Sequence, residues 1–110
     1  MKKLTLFIND QAAYDCDREM VLEPEQLAFL DQMDADMDRG VKIQGQLFTS
    51  PDQKQRATFV AMNLIKALQQ ENEPAKFSSC AYLVTRLPGL VEVRASDQEK
   101  SVSIELVEEH

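Results

Sequence analysis

Histidine is all but missing from this chain of 110 residues: its single copy is His110, the last residue. Without an internal imidazole a Ser-His or Cys-His nucleophile pair lacks its base, and a histidine-bearing metalloenzyme has too few ligands. Glycine is nearly as scarce, at three residues, and Gly40 and Gly45 are too sparse for a phosphate-cradling loop. Neither a Walker pattern nor a dinucleotide fingerprint occurs, so no nucleotide cofactor is expected. Basic residues are outnumbered twelve to nineteen, leaving a formal charge of -7, and no cluster of lysine and arginine rises out of that balance. Nucleic-acid binding and docking on an anionic membrane surface are therefore disfavoured, whereas the same balance suits solubility first and attraction to a basic partner second.

Cysteine and long apolar runs are also in short supply. Cys16 and Cys80 are too few and too far apart in sequence for a disulfide framework or a zinc site. Both are expected as free thiols, Cys80 in the core. The start Met1-Lys2-Lys3-Leu4-Thr5-Leu6-Phe7-Ile8 has a positive opening, but Asn9-Asp10-Gln11 halts the apolar run after five residues. A secretory core needs roughly seven to fifteen. No segment approaches the roughly 20 apolar residues of a membrane span, and the cytoplasm is the expected compartment.

What is present is an ordinary globular composition, 44% apolar and 28% charged, of a length suited to one domain over residues 1–110. Lys2 to Ile8 alternates as a first strand, Asn9-Asp10 suits a turn, and Ala12 to Asp17 returns as a short second strand. Pro24 opens a first helix in which Leu27, Leu30, Met33 and Met37 recur at three and four before Gly40. Val41 to Phe48 alternates loosely around Gly45 as an edge strand or extended connection.

Ser50-Pro51-Asp52-Gln53 predicts a helix start with Ser50 as N-cap. The apolar arc of this second helix, Val60, Ala61, Leu64, Ile65, Ala67 and Leu68, is wide enough for the central element of the core, with Phe59 left on the polar side. A third helix from about Pro74 to Leu87 places Phe77, Cys80, Ala81, Leu83, Val84 and Leu87 on one face and Ser78, Ser79, Tyr82, Thr85 and Arg86 on the other. Leu90 to Ala95 and Ser101 to Val107 alternate across the loop Ser96-Asp97-Gln98-Glu99-Lys100 as a hairpin. The expected fold is α+β: three helices on one face of a small antiparallel sheet of three to four strands.

The most unusual stretch is Asp31-Gln32-Met33-Asp34-Ala35-Asp36-Met37-Asp38, four aspartates in eight residues at a helix end. At 100° per residue Asp31, Asp34 and Asp38 fall within about 60° of one another. Like charges at these spacings destabilise a helix, and the negative C-terminal end of its dipole repels them further. A basic partner protein would compensate them, so Asp31, Asp34 and Asp38 are the expected partner-binding residues. The alternation of Asp34, Asp36 and Asp38 is compared with a calcium-binding loop and fails, because Arg39 occupies its glycine position and Gly45 its final glutamate position. No metal site is assigned.

Two further surfaces bear on function. Tyr82 and Arg86 lie four apart on the third helix beside Ser78 and Thr85, a grouping of hydroxyls and a guanidinium that suits a small anion. Phe7 and Val107 fall on the outer face of their strands, and would build an apolar patch for a homodimer if those strands are neighbours. The sequence thus points to a small non-enzymatic interaction or regulatory module that acts through an acidic helix face. Its alternative is a domain binding a divalent cation or small anion weakly.

Overall fold

In a computed structural model, residues 3–98 and 101–108 are described. Lys2, Glu99, Lys100 and His110, to which the sequence assigned a strand start, part of a loop and the sole imidazole, lie outside them. The chain runs β1 (Lys3–Ile8), β2 (Gln11–Asp17), α1 (Pro24–Met37), β3 (Val41–Ile43), β4 (Gln46–Phe48), α2 (Gln53–Gln69), α3 (Glu73–Arg86), β5 (Leu90–Gln98) and β6 (Ser101–Glu108). Three helices and a four-stranded sheet of order β2-β1-β5-β6 make an α+β domain, with β3 and β4 as a separate two-stranded sheet.

Strand alternation sets the two faces of the larger sheet. Leu4 and Leu6 of β1, Cys16 of β2, and Val93 and Ala95 of β5 point inward and are buried with Leu64 and Leu83 of the helices. Thr5, Phe7, Glu92, Arg94, Glu105 and Val107 occupy the outer face. The sheet is mixed and not wholly antiparallel as expected: β1 pairs parallel with β5, in the register Leu6 to Val93, while β1–β2 and β5–β6 are antiparallel. Antiparallel β2 returns the chain to the end at which β1 began, with Asp17 beside Lys3, and the segment of helices and β3–β4 that follows delivers it to β5 at that same end, as a parallel pair requires. Because β5 lies between β1 and β6, Phe7 meets Arg94, whose guanidinium stacks 4.4 Å from its ring, and Val107 pairs with Glu92. The condition for a Phe7–Val107 patch is not met.

Local chemistry accounts for the turns and helix starts. Asn9 and Asp10 hold positive φ in a two-residue hairpin turn, and the Asn9 carboxamide accepts from Asp97 N (3.0 Å), tying this turn to β5. Gln44 and Gly45 form the corresponding turn of β3–β4, so residues 41–48 are a hairpin and not a single strand. The α2 N-cap is Asp52 and not Ser50: its carboxylate accepts from Gln55 N (2.8 Å) while the Gln55 side chain accepts from Asp52 N (2.9 Å). Buried Pro51 stays outside the helix, where its carbonyl accepts from Arg56 Nε at 3.1 Å.

The α2 helix is the central element, with Ala57, Val60, Ala61, Leu64, Ile65 and Ala67 all buried and Phe59 half-buried against the core. In α3 the expected division of faces fails. Ser79, Cys80, Ala81, Tyr82 and Leu83 are all buried, so the helix is enclosed on several sides, while Phe77 at its start is 42% exposed. The cysteines are also corrected: Cys16 of β2 and Cys80 of α3 form a disulfide, with Cα atoms 5.5 Å apart, and are not free thiols. The fold brings together two residues separated by 64 in sequence, a proximity no spacing rule announces.

Candidate functional site

The aspartate ridge forms on α1 as its spacing dictates, but the charges it gathers are answered from within the chain. Asp31 pairs with Arg86 of α3 at 2.6 Å. Asp34 pairs with Arg56 of α2 at 3.2 Å, approaches Arg86 Nε to 3.3 Å without hydrogen-bond geometry, and accepts from the Tyr82 hydroxyl at 2.6 Å. Asp38 pairs with the other arm of the Arg56 guanidinium. Asp36 turns away and accepts from Gln32 Nε2 at 3.0 Å.

Arg56 has a further role. Its Nη1 donates to the Asp34 carbonyl at 3.0 Å, so a cation from α2 also supplies a partner to the last turn of α1, where the helix dipole is negative. The repulsion that made this segment look unstable is thereby offset by two arginines and a buried phenol. The hydrogen bond to Asp38, and after it that to Asp34, raises the Arg56 pKa above the ordinary guanidinium value. Burial, followed by the hydrogen bond to Asp34, pushes the Tyr82 hydroxyl up to about 12. Its phenol is neutral at any physiological pH.

These pairings reassign the ridge. The unbalanced charge that argued for a basic partner at Asp31, Asp34 and Asp38 is largely matched by Arg56 and Arg86, and the three residues fasten α1 to α2 and α3. The same contacts engage the face considered for an anion: Tyr82 is buried and Arg86 is directed at carboxylates. Among the described residues no group of three or more His, Cys, Asp and Glu is placed to hold a metal ion.

A different surface opens at the other end of the same two helices. The C-terminal halves of α1 and α3 are joined by Asp31, Asp34, Tyr82 and Arg86, whereas their N-terminal halves stand apart around a groove of about 540 Å³. Its apolar lining comes from Phe29 and Leu30 of α1 and Pro74, Ala75, Phe77 and Ala81 of α3. Leu30 and Ala81 are buried and form the floor. Phe29 and Phe77 stand at the sides, 52% and 42% exposed.

Both helix starts deliver acidic residues to this region. Glu23 and Glu25 cap and open α1, Glu71 and Glu73 precede and open α3, and all four are exposed. Glu73 is paired with Lys76 at 2.6 Å, which raises the Lys76 pKa, and Lys76 lies over the Tyr14 ring at 5.8 Å. The groove is therefore apolar at its base, and the charged side chain that lines it is Glu25, with Glu23 two residues before it and Glu71 and Glu73 on either side of the lining residue Asn72.

Sequence reasoning missed Phe29. The seam Leu27, Leu30, Met33 and Met37 was expected to be buried, yet Leu27 is 42% exposed and Met33 half-buried. The available signal was an aromatic residue outside that seam on an otherwise polar helix flank. Compared with protein-family models, curated proteins and solved structures, the chain matches none.

Proposed function

We propose that this protein is a non-enzymatic interaction module that captures an apolar, basic segment of another protein in the groove between α1 and α3. The observation that carries the reading is the exposure of Phe29 and Phe77 on either side of an apolar floor. Aromatic side chains left open around a concavity are the usual anchors of protein recognition, because docking buries them together. Electrostatics favour a partner of opposite sign. The chain carries -7, and Glu25 lines the groove with the exposed Glu23, Glu71 and Glu73 adjacent in sequence to lining residues, so a second copy of the same chain would bring like charges together.

The placement of this module is also a proposal. No helix among the described residues is long and apolar enough to cross a membrane. The buried Cys16–Cys80 disulfide favours an oxidising compartment over the cytoplasm expected from the sequence. A mass measurement under non-reducing, alkylating conditions is expected to find both cysteines unmodified by alkylator; two alkylated thiols in protein from its native source would return it to the cytoplasm.

Selection from a random peptide display library tests the binding role. Peptides enriched on the wild-type chain are expected to combine large apolar residues with lysine or arginine, and to be lost on Phe29→Asp and Phe77→Asp variants that keep the wild-type circular dichroism. Enrichment that ignores both substitutions, or no enrichment, rejects the groove as the working surface.

A further inference from the structure

We infer that the occupant of the groove is an amphipathic helix running antiparallel to α1 and α3, with its basic residues in its last two turns. The inference rests on the groove being the working surface. The walls are two helices, and their exposed apolar groups are side chains, not the free edge of a strand, so the complementary shape is a third rod.

The direction follows from how α1 and α3 run. Early residues of α1, Glu25 to Leu30, share the groove with early residues of α3, Pro74 to Ala81, while Asp31 and Asp34 meet Tyr82 and Arg86 further along both. The two helices therefore run in the same sense and present both N-termini at one end of the groove. Glu25 lines the groove at that end, Glu23 caps α1 there, and Glu71 and Glu73 flank Asn72, the lining residue that caps α3. A docked helix that places its C-terminus at this end sets its negative dipole pole against two positive poles. Lysine or arginine in its last turns then faces the glutamates, while also complementing the helix's own C-terminus. Reversing the helix aligns three positive poles and carries the basic residues away from the glutamates.

Two synthetic helices of identical composition and apolar face test this, one with four lysines in its last two turns and one with them in its first two, each labelled for fluorescence anisotropy. The first is expected to bind at least about tenfold more tightly. That advantage is expected to shrink several-fold in a Glu23→Gln, Glu25→Gln, Glu73→Gln variant and in raised salt, and Phe29→Asp is expected to weaken both peptides. Equal affinities that still depend on Phe29 overturn the orientation and leave the groove reading intact. Binding of neither peptide, or binding indifferent to both Phe29→Asp and Phe77→Asp, overturns the reading and the inference together.

Discussion

Asp34 holds a more consequential position than Asp31 or Asp38, because a single carboxylate serves Arg56, Arg86 and the buried Tyr82 hydroxyl while its own side chain is only 31% exposed. Its neighbours are 78% and 64% exposed, where solvent screens the pairing. Urea denaturation is expected to find Asp34→Ala destabilised by about 1–3 kcal/mol, the cost of stranding partly buried donors, and Asp31→Asn by less than about 1 kcal/mol. Tyr82 gives a pH signature. Its folded value, about 12, lies above the ordinary 10.0, so the stability it contributes is fully present below pH 10 and is lost as pH rises through 12. Denaturation midpoints measured from pH 8 to 12 are expected to fall more steeply for wild type than for Tyr82→Phe over that window; parallel curves would remove Tyr82 as the cause.

At the scale of the elements, the ends of helices and strands carry the most specific chemistry. Asp52→Ala is expected to cost about 1 kcal/mol because it removes the carboxylate that accepts from Gln55 N, leaving only the backbone half of the α2 capping box, whereas Ser50→Ala is expected to be near neutral; thermal melts distinguish them. Gly40 follows α1 with φ at +115°, and a Cβ there would lie 3.2 Å from Leu47 Cδ1. Gly40→Ala is therefore expected to destabilise the chain by about 1–3 kcal/mol, against near neutrality for Gly89→Ala, whose added Cβ meets nothing within 4 Å. Most of these elements were legible in the sequence, since periodicity and turn residues act over a few positions. The Ser50 assignment failed because Ser50-Pro51-Asp52-Gln53 and Asp52-Gln53-Lys54-Gln55 both satisfy capping chemistry, and the folded chain forms the second box, with Arg56 holding the Pro51 carbonyl outside the helix. The two faces of α3 failed for another reason: a helix enclosed on several sides buries Ser79 and Tyr82 along with its apolar residues.

Across the whole molecule, the Cys16–Cys80 disulfide ties an edge strand to the third helix across 64 residues. Closing a loop of that length restricts the unfolded chain enough to contribute about 4 kcal/mol in the chain-entropy treatment. A Cys16→Ser, Cys80→Ser variant is expected to lose stability of that order in denaturant titrations, and a reductant is expected to affect wild type alone. Although they missed the β3–β4 hairpin, residue types and local spacings were enough for the three helices, the strands on either side of them, the α+β class, the acidic balance, the central place of α2 and the crowding of three aspartates on α1. Each depends on residue type or on spacings within one or two helical turns. Tertiary structure decided the parallel β1–β5 pairing, the disulfide, the capture of Asp34 by Tyr82 from 48 residues away and of Asp31 by Arg86 from 55, and the exposure of Phe29 beside Phe77. Those outcomes follow from which segments the packed core brings side by side, and local patterns carry no record of a neighbour so distant along the chain.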